Sequence, residues 1–250
     1  MISVIYPINS GNNNIRTVGR LALFKNTIES IKKYSDNIKD KFEILVLDSH
    51  STDDVRGYVI NQKKHFNISY IKFKQPYHNF CECYILNLGL NLSKYNSIVL
   101  TNPEVMHISP AIIQFLELIG ENILGKVEEI NIDGSFKQLL MGTKEPNRHD
   151  NPGMFFLAMF NKNDILSIGG FDEDFRYGYG DNDFGWRFKT KFKFRILDEI
   201  YGIHQFHGRP LHDGNFRHNG QLWKEKQKIG QIIVNQNRII GNTSYIIEII

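Results

Sequence analysis

Four short runs of β-branched and aromatic residues recur along the first hundred positions: ISVIY (2–6), FEILVL (42–47), ISYIKF (68–73) and SIVLT (97–101). All are nearly free of charge, and longer stretches with helical spacing separate them. Near-continuous apolar strands joined by helices predict βαβ units, hence an α/β fold with a mostly parallel sheet covered on both faces. Leu21, Phe24, Ile28 and Ile31 form a stripe opposite Lys25, Glu29, Lys32 and Lys33, which predicts the first crossover helix. A second is expected between His78 and Leu92. Beyond Pro103 the pattern predicts a helix over 109–119, a polar strand region over 127–140 and a turn-rich loop at 143–153. A buried strand (154–160), a short helix (162–168) closed by Gly169 and Gly170, a helix (183–191), a strand-like run (194–203) and a basic helix (219–236) follow.

With 250 residues, 41% of them hydrophobic and 12% aromatic, the chain can bury a large core. Thirty basic residues against 27 acidic ones leave +3, too balanced for a protein that coats nucleic acid, so no nucleic-acid partner is expected. The whole surplus lies after residue 215, on the predicted tail helix. Leu222, Trp223, Ile229 and Ile232 or Ile233 on one side of that helix allow at most a peripheral membrane contact. The two cysteines, Cys81 and Cys83, are too close for an easy disulfide and too few for a structural zinc site. No apolar run approaches the roughly 20 residues a bilayer needs, and Met1 leads straight into a strand-like run with no leader pattern. The expected compartment is the cytoplasm.

In a parallel α/β sheet ligands bind beyond the carboxyl ends of the strands, so candidate chemistry is sought there. Asp48, in LVLDSHSTDD, ends the second strand and can accept from a uracil or ribose donor, while Ser51 or Thr52 suits a helix cap. Asn102 and Glu104, in TNPEV, end the fourth; two apart on an extended chain, they share a face and offer oxygen ligands to Mg²⁺ or Mn²⁺. The run IGGFDEDFRYGYGDNDFGWRFK (168–189) is rich in glycine and acid. It is no EF-hand, because the sixth position from Asp172 is Tyr177 and the twelfth is Asp183 rather than Glu. Asp183 suits the cap of the next helix, which frees Asp181 as a candidate general base. Tyr177 and Tyr179 offer an aromatic stacking surface, with Asp183 beside them. His204, His207 and Arg209 follow the last strand-like run, where imidazoles could serve a metal or a phosphate and Arg209 could add positive charge.

Taken in order, ISVIYP, VLDSHSTDD, LNLGL, LTNPEV, GGFDEDF, GDNDFGWR and HQFH resemble the GT-A glycosyltransferases of family 2, with an acceptor half similar to the galactosyltransferase carboxyl-terminal motif. The resemblance covers about residues 1–210. It implies a Rossmann-like GT-A sheet in one domain spanning 1–250, with a nucleotide-sugar half (1–105), an acceptor half (106–210) and a helical extension (211–250). It further implies a hexosyltransferase-type enzyme that uses a nucleoside diphosphate sugar, usually UDP-linked, with Mn²⁺ or Mg²⁺, and that inverts the anomeric carbon. The acceptor would be a hydroxyl of a glycan, glycoprotein or glycolipid, met by Tyr177, Tyr179 and Asp183. The nucleotide loop falls on Pro7 and Ile8, the uracil-binding acid on Asp48, and the DXD motif on Asn102, Pro103 and Glu104. Glu104 then inherits the metal and Asn102 a sugar or ribose contact. The base falls on Asp181 and the late histidine on His204, with His207 the runner-up. An amide at the first DXD position departs from the pattern and keeps open an alternative, a binding module of the same fold that has lost catalysis.

Overall fold

The computed structural model describes residues 1–11, 19–74, 76, 81–131, 133–141, 156–176, 178–207, 214–234 and 240–250. Strands β1 (Ile2–Ile8), β2 (Phe42–Asp48), β3 (Ile68–Phe73) and β4 (Ser97–Thr101) form a parallel block in the order β3-β2-β1-β4. Every residue of β1, β2 and β4 is buried, as apolar strands covered on both faces require. The second half adds β5 (Val105–His107), β6 (Ile123–Ile130), β7 (Phe136–Met141), β8 (Leu157–Asn161) and β9 (Arg195–His204) to the same sheet. Here antiparallel neighbours enter: β8 runs against both β4 and β6, and β9 runs with β6. It follows that β4, β6 and β9 all point the same way, and that β1, β2, β4 and β9 end on one edge of the sheet. The last strand, β10 (Ile246–Ile249), returns to the far side and pairs antiparallel with β3, so the carboxyl-terminal segment is not purely helical.

Helix α1 (Arg20–Ser35) buries Phe24, Ile28 and Ile31 of the predicted stripe together with Leu23 and Thr27, while Leu21 is half-buried. Helices α2 (Val55–Gln62), α3 (Glu82–Leu92), α4 (Ala111–Glu117), α5 (Lys162–Ser167), α6 (Gly180–Lys191) and α7 (Gly214–Lys228) complete the fold among the described residues. The LNLGL segment of α3 is explained by packing. A Cβ at Gly89 would come within 2.7 Å of Ile5 and 2.8 Å of Leu47, so only glycine lets α3 seat this closely on β1 and β2. Asn87 donates to Phe171 O and Glu173 Oε1 and accepts from Phe171 N, which ties α3 to the GGFDEDF segment. Phe160, Phe171, Phe184 and Phe188 stack around that junction with ring centroids 4.4–5.4 Å apart. Burying each such ring contributes roughly 1.5–3 kcal/mol.

Three sequence expectations are corrected. The helix expected from Asp183 begins at Gly180, so Asp181 stands in its first turn and Tyr179, not Asp183, precedes it. The cap of α2 is Asp54, which accepts from Gly57 N, rather than Ser51 or Thr52. The tail helix ends at Lys228; Leu222 and Trp223 pack on the core, whereas Ile229, Ile232 and Ile233 are exposed beyond it. Cys81 and Cys83 are buried and are not joined in a disulfide. Among the described residues no helix is long and apolar enough to cross a membrane.

Candidate functional site

The segment after β4 is a turn, not the extended pair of ligands its sequence predicts. Val105 N donates to Asn102 O at 3.1 Å, with Pro103 and Glu104 in the central positions, the place where proline's fixed φ is favoured. The turn is tied to its neighbours: Thr27 of α1 donates to Pro103 O at 2.7 Å, and Gln205 N donates to Glu104 O at 2.9 Å. Antiparallel pairing of β5 with β9 sets Val105 opposite His204, and this register carries the imidazole to the carboxylate just before Val105. As a result Glu104 Oε1 lies 3.4 Å from His207 Nε2 and 3.7 Å from His204 Nε2.

These three side chains can each offer one ligand atom, all within 4.8 Å of one another. Glu104 Oε2 and His204 Nδ1 are buried without a hydrogen-bond partner, and such orphaned groups call for an occupant. One carboxylate with two imidazoles fits a divalent transition metal better than a purely oxygen-seeking cation. Burial alone would push the Glu104 carboxyl up. The nearby Arg20 charge and the bonds from His204 and His207 outweigh it and hold the group well below the usual carboxylate range, which favours the charged form that a cation would need. The ring of Phe156 meets His204 edge-on, with centroids 5.3 Å apart.

Two further charged groups, missed in the sequence, face this cluster. Arg20 is the first residue of α1 and acts on both Glu104 and Glu82. A cation opposes the dipole at a helix amino end, and that misfit is the signal that could have found it. Glu82 opens α3, where an acid reads as ordinary helix-end charge. Its side chain is exposed to solvent at one side while protein crowds it at the other. Burial, then the charge of Asp181, push its carboxyl up to about 7, with Glu104 adding to the rise and Arg20 opposing it. The same helix end abuts the Asp181 turn, because a Cβ at Gly180 would come within 2.3 Å of Cys83 Sγ. The charges of Asp181 and Glu104 therefore both reach one side chain.

The Glu82 shift gives a pH-dependent stability with a definite sign. Between the ordinary value of 4.5 and about 7 this acid is mostly neutral in the folded chain while already charged in the unfolded one. Folding stability falls as pH rises across that window. Glu82→Gln is expected to melt higher than the parent at pH 8 and to show no gain at pH 4.5, measured by calorimetry on metal-free protein.

Asp48 ends β2, two strands from β4, about 10 Å along the sheet edge. It is buried; its Oδ1 accepts from Ser51 N at 3.0 Å and its Oδ2 from the Tyr70 hydroxyl at 2.7 Å. Pro7 and Ile8 close β1 and are buried as well, and β4 stops pairing at Ile5, so the donor that proline lacks falls beyond that ladder. Ser10 binds the β2–α2 loop by donating to Ser51 Oγ and Asp53 Oδ2, and it accepts from Leu21 N of α1. Asn102 is half-buried at the start of the turn. Tyr179, also half-buried, precedes Asp181 in the left-handed region at φ +64°. Asp183 is 1% exposed and pairs with Arg187 at 2.7 Å, leaving no exposed carboxylate there to meet an acceptor; its carboxyl is raised by burial, against the pull of Arg187. Tyr177 and Arg209 lie outside the described residues.

No family model matches the chain, and no curated protein does. Solved structures do. TarS 1–349 of S. aureus in complex with UDP superposes with a TM-score of 0.68 at 14% identity, covering 94% of this chain and 67% of that one. The same protein with UDP-GlcNAc gives 0.67 at 12% identity over 94% and 68%. The mannosyltransferase PcManGT of Pyrobaculum calidifontis, in complex with GDP-Man and Mn²⁺, gives 0.57 at 16% identity over 92% and 62%. The chain spans 60% of TarS 1–349 in another structure and 39% of the longer TarS chain. Among the described residues the fold is a ten-stranded α/β sheet covered by helices, the GT-A fold, and it is shared with these structures.

Proposed function

We propose that this chain transfers a sugar from a nucleoside diphosphate, UDP being the first choice, to a hydroxyl of a glycan, glycoprotein or glycolipid. The carrying observation is the Glu104–His204–His207 cluster, with its orphaned carboxylate and imidazole atoms, at the edge where β1, β2, β4 and β9 end. Structures of like fold hold UDP, UDP-GlcNAc, and GDP-Man with Mn²⁺. Glu104, His204 and His207 would hold Mn²⁺ or Mg²⁺, and a bound cation supplies Lewis-acid stabilisation of the departing diphosphate. Arg20 adds a permanent positive charge on the same side. Two unit charges about 4 Å apart at an effective dielectric near 20 interact by about 4 kcal/mol, nearly three factors of ten in rate. Asp48, Pro7 and Ile8 form the nucleoside end of the cleft, and Asn102 faces the ribose or the sugar.

In the proposed step the acceptor oxygen bonds to the anomeric carbon as the bond from that carbon to the phosphate oxygen breaks. The bonding pair leaves on the diphosphate, and the hydroxyl proton passes to the Asp181 carboxylate. A single displacement inverts the carbon. Asn102, an amide where a second acid would sit, favours the second reading, a binding module without catalysis. The purified chain, incubated with Mn²⁺ and UDP-GlcNAc, UDP-Gal or GDP-Man, is expected to bind one donor and release its nucleoside diphosphate. A melting temperature raised by a donor, by about 2.7 kcal/mol of stability at a hundredfold excess over Kd, without any release would support the binding module. No shift and no release with any donor would overturn both.

A further inference from the structure

The acids of the FDEDF run (171–175) take no part in the proposed chemistry, yet each is engaged by a distant part of the chain. Glu173 Oε1 accepts from Asn87 Nδ2 at 2.9 Å and from Gly241 N at 2.7 Å. Asp172 accepts from Lys226 Nζ of α7, which also donates to Asp174 Oδ2 at 3.2 Å. Lys226 is 8% exposed, whereas Lys224 and Lys228 on the same helix stand in solvent. A cation withdrawn from water is tolerated only where its partners are held in one geometry.

Lys226 is one of three contacts along a single face of α7. Asn219 Nδ2 donates to Gly178 O at 3.2 Å. The Trp223 ring lies 5.7 Å from that of Tyr179, tilted by 37°. Positions 219, 223 and 226 follow the i, i+4, i+7 spacing of one helix stripe. Gly220, between them, keeps its neighbour close, since a Cβ there would lie 3.2 Å from the Tyr179 ring. Beneath this stripe is the turn that launches α6. Tyr179 holds φ +64°, and its carbonyl accepts from Asp183 N at 2.9 Å, so its conformation sets the direction in which the first turn leaves. A bulky residue stays in the left-handed region only when its surroundings over-determine it.

The geometry points to α7 as a clamp on this turn: Asn219 and Trp223 hold Gly178 and Tyr179 directly, Lys226 fixes α7 to the FDEDF run that leads into the turn, and together these positioning residues aim Asp181. The clamp bears on catalysis only if Asp181 is the base proposed above, so its test has one arm that needs no activity. In the full chain without donor, Lys226→Met is expected to speed hydrogen exchange at amides 178–184 at least tenfold while the β1 amides stay unchanged. With the donor that turns over and Mn²⁺, the same variant should lower kcat about 10- to 100-fold with donor KM within twofold, and Lys226→Arg should restore most of it. In the Asp181→Asn background, Lys226→Met should change the rate less than twofold, because the group it aims is gone. Unchanged exchange with unchanged kcat, or losses that multiply in the double variant, would overturn the clamp. If Asp181→Asn alone leaves the rate intact, the base assignment fails while the exchange arm still judges the clamp. Should Lys226→Met not fold, Asn219→Ala, which removes the bond to Gly178 O, goes through the same measurements.

Discussion

Glu104→Ala is expected to abolish the enhancement of UDP binding by Mn²⁺ and to slow donor turnover about a thousandfold. The carboxylate is the one charged ligand of the cluster, and without it two imidazoles remain to hold a dication beside the arginine at position 20. Losing one preorganised electrostatic contact to a developing charge typically costs about 10² to 10³ in rate, and here the contact carries the cation as well. Glu104→Gln keeps the shape of the 102–105 turn, whose stitching runs through the backbone oxygens of Pro103 and Glu104, and removes only the charge. The two substitutions should therefore agree. Calorimetric titration of UDP with and without Mn²⁺ reads the result, and an enhancement that survives both would remove Glu104 from the metal site.

Asp181→Asn is expected to leave UDP binding within about twofold of the parent and to lower transfer by about 10² to 10⁴, the usual contribution of a positioned base. An amide has the same outline and can still accept from Asn182 N, the contact that Asp181 Oδ1 makes at 2.8 Å, but it cannot take the acceptor proton. The split between intact binding and lost turnover separates a proton acceptor from a binding contact. Turnover measured as nucleoside diphosphate release under saturating donor checks it, and an undiminished rate would dismiss Asp181 as base.

Much of the framework was legible in the chain because the strands are buried on both faces. ISYIKF and SIVLT coincide with β3 and β4, and the first two runs fall one or two residues short of β1 and β2. What periodicity missed is short or peripheral: β5 has three residues and β10 four, too few to show an alternation. The tail helix stops short of its predicted end because Gly230 turns the chain at φ +63°, although Ile229, Ile232 and Ile233 continue the apolar spacing past it. At the site, Glu104 and His204 could be named but not joined, since the β5–β9 register that brings them together has no local signature. Asp183 misled for the opposite reason. Its partner Arg187 stands four residues on, a spacing visible in the sequence, but only burial shows that the pair is spent inside the core. Glu82 reads in the sequence as ordinary helix-end charge, and only the fold brings it into the field of Arg20, Glu104 and Asp181.

Whether the carboxyl edge of the sheet is a metal-dependent nucleotide-sugar cleft is tested most directly by a crystal structure with UDP and Mn²⁺, with the metal located by its anomalous scattering. The expected peak lies within bonding distance of Glu104 and at least one of His204 and His207, with the diphosphate beside Arg20 and the uracil toward Asp48. A metal peak away from Glu104, or UDP seated elsewhere on the molecule, would contradict it.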